Sequence, residues 1–127
     1  MFGSDIYFPV VVSIDYDPAA DDDIPIWRAP FACTVRSAYA TVANAVVADG
    51  TAYFDLALYN GGTLGTALTA LGGTIGGTAG WTALLPTAFP ISAGVLTAGQ
   101  LVKLRYNEAS TGTFSQMIVQ LDVQAGI

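Results

Sequence analysis

Thr51-Ala52-Tyr53-Phe54-Asp55-Leu56-Ala57-Leu58-Tyr59-Asn60 alternates at a period of two. Ala52, Phe54, Leu56 and Leu58 share one face, and Tyr53, Asp55 and Tyr59 share the other. Successive side chains of a strand point to opposite faces, so this is a half-buried β-strand with its aromatic handles on the wetter side. Two further stretches repeat the pattern. In Leu101–Tyr106, Val102, Leu104 and Tyr106 oppose Lys103 and Arg105. In Ser115–Val123, Met117, Val119, Leu121 and Val123 oppose Gln116, Gln120 and Asp122, and Ile118 interrupts the polar face.

Working outward, Thr34–Val47 is rich in Val, Thr and Tyr and is expected to be a long strand. Asp49-Gly50 is expected to turn it back as a hairpin onto the Thr51 strand. Asn107–Thr113 is expected to form a second hairpin loop, between the last two strands. Ile24–Phe31 makes a further strand, which Pro25 and Pro30 confine to an edge or a bend. Ala38–Ala48 is the one segment with any helical character, and its β-branched neighbours and the following turn assign it to strand. Seven or eight short strands at turn-marked spacing define an all-β chain, an antiparallel β-sandwich or a barrel.

The chain divides into an acidic N-terminal arm, residues 1–23, and a β-sandwich domain, residues 24–127. The arm holds Asp5, Asp15, Asp17, Asp21, Asp22 and Asp23, six of the ten acids, and no base. Within it Ile6–Ile14 is strongly β-prone, with three consecutive valines. That run suits either pairing with a foreign strand edge or service as the first strand of its own sandwich. Residues 60–81 are rich in Gly and Thr and repeat Gly-Gly-Thr-x-Gly from Gly61 and from Gly72, which reads as a long loop across one end. The N-terminus has no basic region before its apolar stretch, so it does not read as a signal peptide.

Composition removes several classes of function. The 127 residues carry a net charge of -6, with only Arg28, Arg36, Lys103 and Arg105 as bases. Nucleic-acid binding needs clustered Lys and Arg, so no nucleic acid is expected as a partner. No 18-residue apolar run exists, so no membrane partner is expected either. Histidine is absent and Cys33 is the single cysteine, which leaves no disulfide and no zinc cluster. Cys33 therefore reads as a small buried hydrophobe. No Gly-rich stretch carries the Gly-Lys-Ser/Thr ending of a phosphate loop, and no cofactor is expected. Asp15, Asp17, Asp21, Asp22 and Asp23 offer hard oxygen ligands without an EF-hand pattern, and read as a solvated acidic linker, with a structural cation at an assembly interface as the alternative. Asp55, Glu108 and Asp122 are the carboxylates from which a glycoside hydrolase pair would have to come. No catalytic residue is assigned.

The remaining oddity is how little charge there is. Hydrophobic residues make up 53% and charged residues 11%, against about 25% charged in an ordinary domain. From Leu56 to Val102 no charged residue occurs. Such a surface invites burial against copies of the chain or against another protein. The expected contact residues are Phe2, Ile6, Tyr7, Phe8, Val10, Trp27 and Arg28. Trp27, Trp81, Tyr53 and Tyr59 could instead line a sugar-binding face, or serve as core anchors.

Ile26–Tyr39, Gly94–Val102 and Thr111-Gly112-Thr113 resemble the pattern of head decoration (cement) and fibre-like β-sandwich proteins of tailed bacteriophages. That resemblance implies a jelly-roll-like domain with an extended N-terminal arm, assembled as a homotrimer. It further implies a non-enzymatic role on the capsid surface of the virion, after synthesis in the host cytoplasm, bridging subunits of the major capsid protein. The alternative within the same class is a receptor- or glycan-binding module of a virion fibre or tail.

Overall fold

A computed structural model of the chain describes residues 6–15, 18, 21–46, 50–61, 68–109 and 114–125. Six long strands dominate: β1 (Ile6–Ile14), β2 (Asp22–Arg28), β3 (Cys33–Val42), β4 (Tyr53–Asn60), β9 (Leu101–Ala109) and β10 (Met117–Ala125). Four two-residue strands lie between them: β5 (Thr69–Ala70), β6 (Ile75–Gly76), β7 (Thr87–Ala88) and β8 (Val95–Leu96). One antiparallel sheet runs β1-β10-β3-β7, with β8 also on β3. The other runs β2-β9-β4-β5, with β6 also on β4. If β5/β6 and β7/β8 are each counted as one broken strand, the orders are 1-8-3-6 and 2-7-4-5. This is a β-sandwich of jelly-roll type, as expected.

The alternating strands fill the space between the sheets. Val119, Leu121 and Val123 of β10 and Ala38, Ala40 and Val42 of β3 are fully buried from one side. Phe54, Leu56 and Leu58 of β4 and Val102, Leu104 and Tyr106 of β9 meet them from the other. Phe54 stacks on Trp81 at 5.0 Å, and Tyr106 and Phe114 pack beside it at 5.4 and 5.5 Å. Gly76 (φ 85°) lets the indole lie against the backbone, because a Cβ there would meet the ring at 2.4 Å. Trp81 is thus a core residue, its Nε1–H donating to the Phe54 carbonyl at 3.3 Å. Cys33 is buried and free, as read from the sequence.

Both expected hairpins are corrected. β3 and β4 lie in different sheets, as do β9 and β10, so the links after Val42 and after Ala109 cross the sandwich instead of reversing within a sheet. Asn107, Glu108 and Ala109, placed in a loop by their turn-forming types, continue β9 because they pair with Asp55, Phe54 and Tyr53. Asp49, residues 62–67 and Thr111–Thr113 lie outside the described residues. The long strand ends at Val42 instead of Val47, and Val46 pairs in isolation with Trp81. The strand expected over Ile24–Phe31 is β2, an outer strand that starts earlier, at Asp22, ends at Arg28 before Pro30, and is bulged between Pro25 and Trp27. Of the two roles open to Ile6–Ile14, the second holds: it pairs along its whole length with β10 as an outer strand. Residues 6–14, assigned above to an arm before the sandwich, are part of the sandwich.

Candidate interaction surface

The two sheets present different outer faces. On the second sheet Arg105 grips the Asp23 carboxylate with two hydrogen bonds, 2.7 and 2.9 Å. The Arg105 guanidinium also lies 4.3 Å from the centre of the Tyr59 ring. These contacts hold Asp23 below the usual carboxylate range, chiefly through the hydrogen bond, and push Arg105 up for the same reason. Beside them Asn107 donates to Asp55 at 3.2 Å. This is a polar, ion-paired face suited to water.

The first sheet is different. Ile6, Tyr7, Val11, Phe31, Leu84, Leu85, Val95 and Ile118 are the exposed large hydrophobics among the described residues. All lie on strands of the first sheet or on the loops that run directly into β3 and β7. Register places Tyr7, Gln124, Thr34 and Val95 in one row across β1, β10, β3 and β8. Gln124 is buried at the centre of that row and accepts from Arg36 Nε at 2.5 Å. Arg36 reaches it because the β3–β10 ladder slips between Asp122 and Val123, inserting one extra residue in β3. Ile6 and Phe31 lie at the same end, as does exposed Arg28 on the neighbouring sheet. On the same face the Asp122 carboxylate is engaged by Ser37 Oγ at 2.8 Å and Gln120 Nε2 at 2.9 Å.

The contact residues expected from the sequence separate into two groups. Ile6, Tyr7 and Arg28 are exposed. Phe8 and Val10 face inward and pack against the core, because the even positions of β1 point between the sheets. Trp27 is half-buried against Phe8, edge to face at 6.1 Å. Phe2 and Asp17 lie outside the described residues. Sequence reading missed Phe31, Val95, Arg36, Leu84 and Leu85. A usable signal existed in Ile118, whose intrusion on a polar face marks an outward apolar residue, and in the Leu84-Leu85 pair beside Pro86.

The acidic stretch is engaged in local contacts. Asp23 is paired with Arg105, Asp21 accepts from the Glu108 amide at 3.0 Å, and Asp15 accepts from Gln116 at 3.2 Å. Among the described residues no group of three metal-ligating side chains converges. Asp55, Glu108 and Asp122 are not brought together: Asp55 is on the outer face of β4, Glu108 accepts from the inward Tyr106 hydroxyl, and Asp122 is on the opposite sheet. The four aromatics considered for sugar binding do not share a face either, since Trp81 is core and Trp27 packs on Phe8. Among the described residues no helix is long and apolar enough to cross a membrane.

No family model matches the sequence, and no curated protein matches it. Among solved structures, the fold is similar to part of a chain in the structure of the Gx strain of infectious bursal disease virus. The TM-score is 0.51 at 14% identity, over 98% of this chain and 33% of the viral one. The chain thus spans about a third of the length of that neighbour. The likeness is one of fold: the class defined is a jelly-roll β-sandwich whose exposed large hydrophobics, among the described residues, are confined to one sheet and its loops.

Proposed function

We propose that this chain is a non-enzymatic structural protein of a virion. It decorates the head as a cement protein, lying on the major capsid protein and bridging neighbouring coat subunits. The observation that carries the reading is the one-sided surface: every exposed large hydrophobic among the described residues belongs to the first sheet or its loops. A domain whose exposed large hydrophobics are confined to one sheet and its loops is suited to lie between solvent and a larger assembly. The likeness of fold to a chain of a virus supports the same reading.

The contact with the coat is assigned to Tyr7 and Val95 on the outer face and to exposed Ile6 and Phe31 at the edge beside them, flanked by Arg28 and Arg36. Aromatic anchors next to arginine match the composition of interface centres. Binding only to assembled coat stabilises that state by mass action, and repetition over the lattice multiplies weak individual contacts. Residence on the capsid surface, synthesis in the host cytoplasm and assembly of the chain into an oligomer all belong to this reading. The test is co-sedimentation with expanded phage heads stripped of accessory proteins. The wild-type chain is expected to pellet with the heads, and a Tyr7→Asp, Val95→Asp double variant to stay in the supernatant. Equal pelleting by both, or by neither, overturns the assignment.

A further inference from the structure

Leu84 has φ 60°, in the left-handed region, and is the one non-glycine residue with positive φ among those described. It is the third residue of the turn Thr82–Leu85, closed by the Leu85 amide donating to the Thr82 carbonyl at 3.4 Å. Turns that need positive φ at this position take glycine there. The Leu84 amide donates to the Val42 carbonyl at 2.8 Å, which fixes the turn against β3. Yet the Leu84 side chain is 74% exposed and that of Leu85 55%. A branched side chain held in a disfavoured conformation and left in water gains nothing within its own chain.

Beside the turn lies a groove of about 170 Å³, with Ser13, Thr41, Met117 and Ile118 among its walls and Leu84 as its lip. An apolar void of about 150 Å³ accommodates a benzene molecule, so a leucine side chain fits this one. A second depression, bounded by Tyr39, Pro86 and Gln120, adjoins it across Thr41 and Ile118.

We infer that this corner joins two copies of the chain about a two-fold axis, with the Leu84–Leu85 turn of each seated in the groove of the other. A knob directly beside a groove is the self-complementary arrangement that a two-fold contact requires, because each copy supplies both halves. Charge favours the same occupant. The walls of both depressions carry no charged side chain. The acids next to these walls, Asp15 and Asp122, are engaged by Gln116 and by Gln120 and Ser37, and the acids at 22–23 and at Glu108 lie on the other sheet, so two chains of net charge -6 meet here through their uncharged walls. The surface is distinct from the Tyr7–Val95 row assigned to the coat, so a pair of copies leaves that row open. The reading extends the proposed oligomer and replaces the expected trimer with a pair.

Sedimentation equilibrium of the full chain tests it. The wild type is expected to form dimers, strengthened by added salt because both partners are negative overall. Leu85→Asp is expected to weaken the dimer by about tenfold or more, the loss typical of a buried anchor. Leu84→Gly removes half the knob and relieves the turn, so it is expected to weaken the dimer without lowering the thermal midpoint, which separates a lost contact from a lost fold. A monomeric wild type, a trimer, or a dimer indifferent to both substitutions overturns the inference. Head binding is read independently: monomers that pellet with heads defeat the pairing alone, and dimers that ignore heads defeat the coat assignment alone.

Discussion

Phe8 of β1 meets Trp27 of β2 edge to face, ring centroids 6.1 Å apart and planes at 69°. β1 and β2 are outer strands of opposite sheets, so this contact closes one open side of the sandwich, with Phe31 against Phe8 at 6.0 Å. Both residues act inside the molecule. Phe8→Ala is expected to cost about 2 kcal/mol, below the 3–5 kcal/mol of a fully buried ring because Phe8 is only half-buried. A Phe8/Trp27 double-mutant cycle in urea should return a coupling of about 0.5–1.5 kcal/mol, as for other aromatic pairs. Tyr7→Ser, one position away and outward, should stay within about 0.5 kcal/mol of wild type.

Gly72 allows the chain to pass against Pro90. A Cβ at Gly72 would fall 1.5 Å from the Pro90 carbonyl oxygen, an overlap of backbone that no side-chain rotation relieves. Gly72→Ala is therefore expected to lower stability by about 3 kcal/mol or more, at the upper end for overpacking. Gly50→Ala, where nothing lies within 4 Å, is the control. Thermal denaturation of the two variants should separate them widely.

The Asp23–Arg105 pair makes part of the stability acid-labile. Because the pair holds Asp23 below its ordinary value, folding favours the ionised form. Its contribution is complete above the unfolded carboxylate value of about 3.9 and is lost as the pH falls through the lower folded one. Asp23→Asn should be less stable than wild type at neutral pH by about 0.5–1 kcal/mol, the upper range for a partly exposed pair. The two should converge in acid. Urea midpoints measured at several pH values check this, and a gap that persists at the acid end contradicts it.

Cys33 is fully buried at the start of β3, and burial pushes its thiol up. The thiolate is the reactive form, so a disulfide reagent should label native protein slowly and denatured protein at once. Labelling of native protein at the free-thiol rate would contradict its burial.

The strands were legible because alternation reports which residues face in. Tyr53–Asn60, Leu101–Tyr106 and Met117–Val123 needed nothing more, and the β-sandwich followed. Partnership between strands was not legible. Alternation is silent about which sheet a strand joins, and the turn chemistry of Asp49-Gly50 suits a crossing link as well as a hairpin. The surface was half legible for a similar reason. β1 is apolar on both faces, so Phe8 and Val10, which point inward, could not be told from Tyr7 and Val11, which point out. Phe31 and Val95 are in segments without periodicity, and only the fold gathers them at one end.

β10 lies between β1 and β3, and it follows the other described strands in chain order. Until residues 117–125 exist, the first sheet is two unjoined pieces, with the nine residues of β1 lacking their ladder. Folding during translation must therefore wait for nearly the whole sandwich to emerge. β1 to β4 alternate between the sheets along the chain, and the local pairing of β4 is with the two-residue strands β5 and β6. The long ladders therefore join distant segments, and acquisition of the native state should fall in the slow, milliseconds-to-seconds range of non-local β topologies.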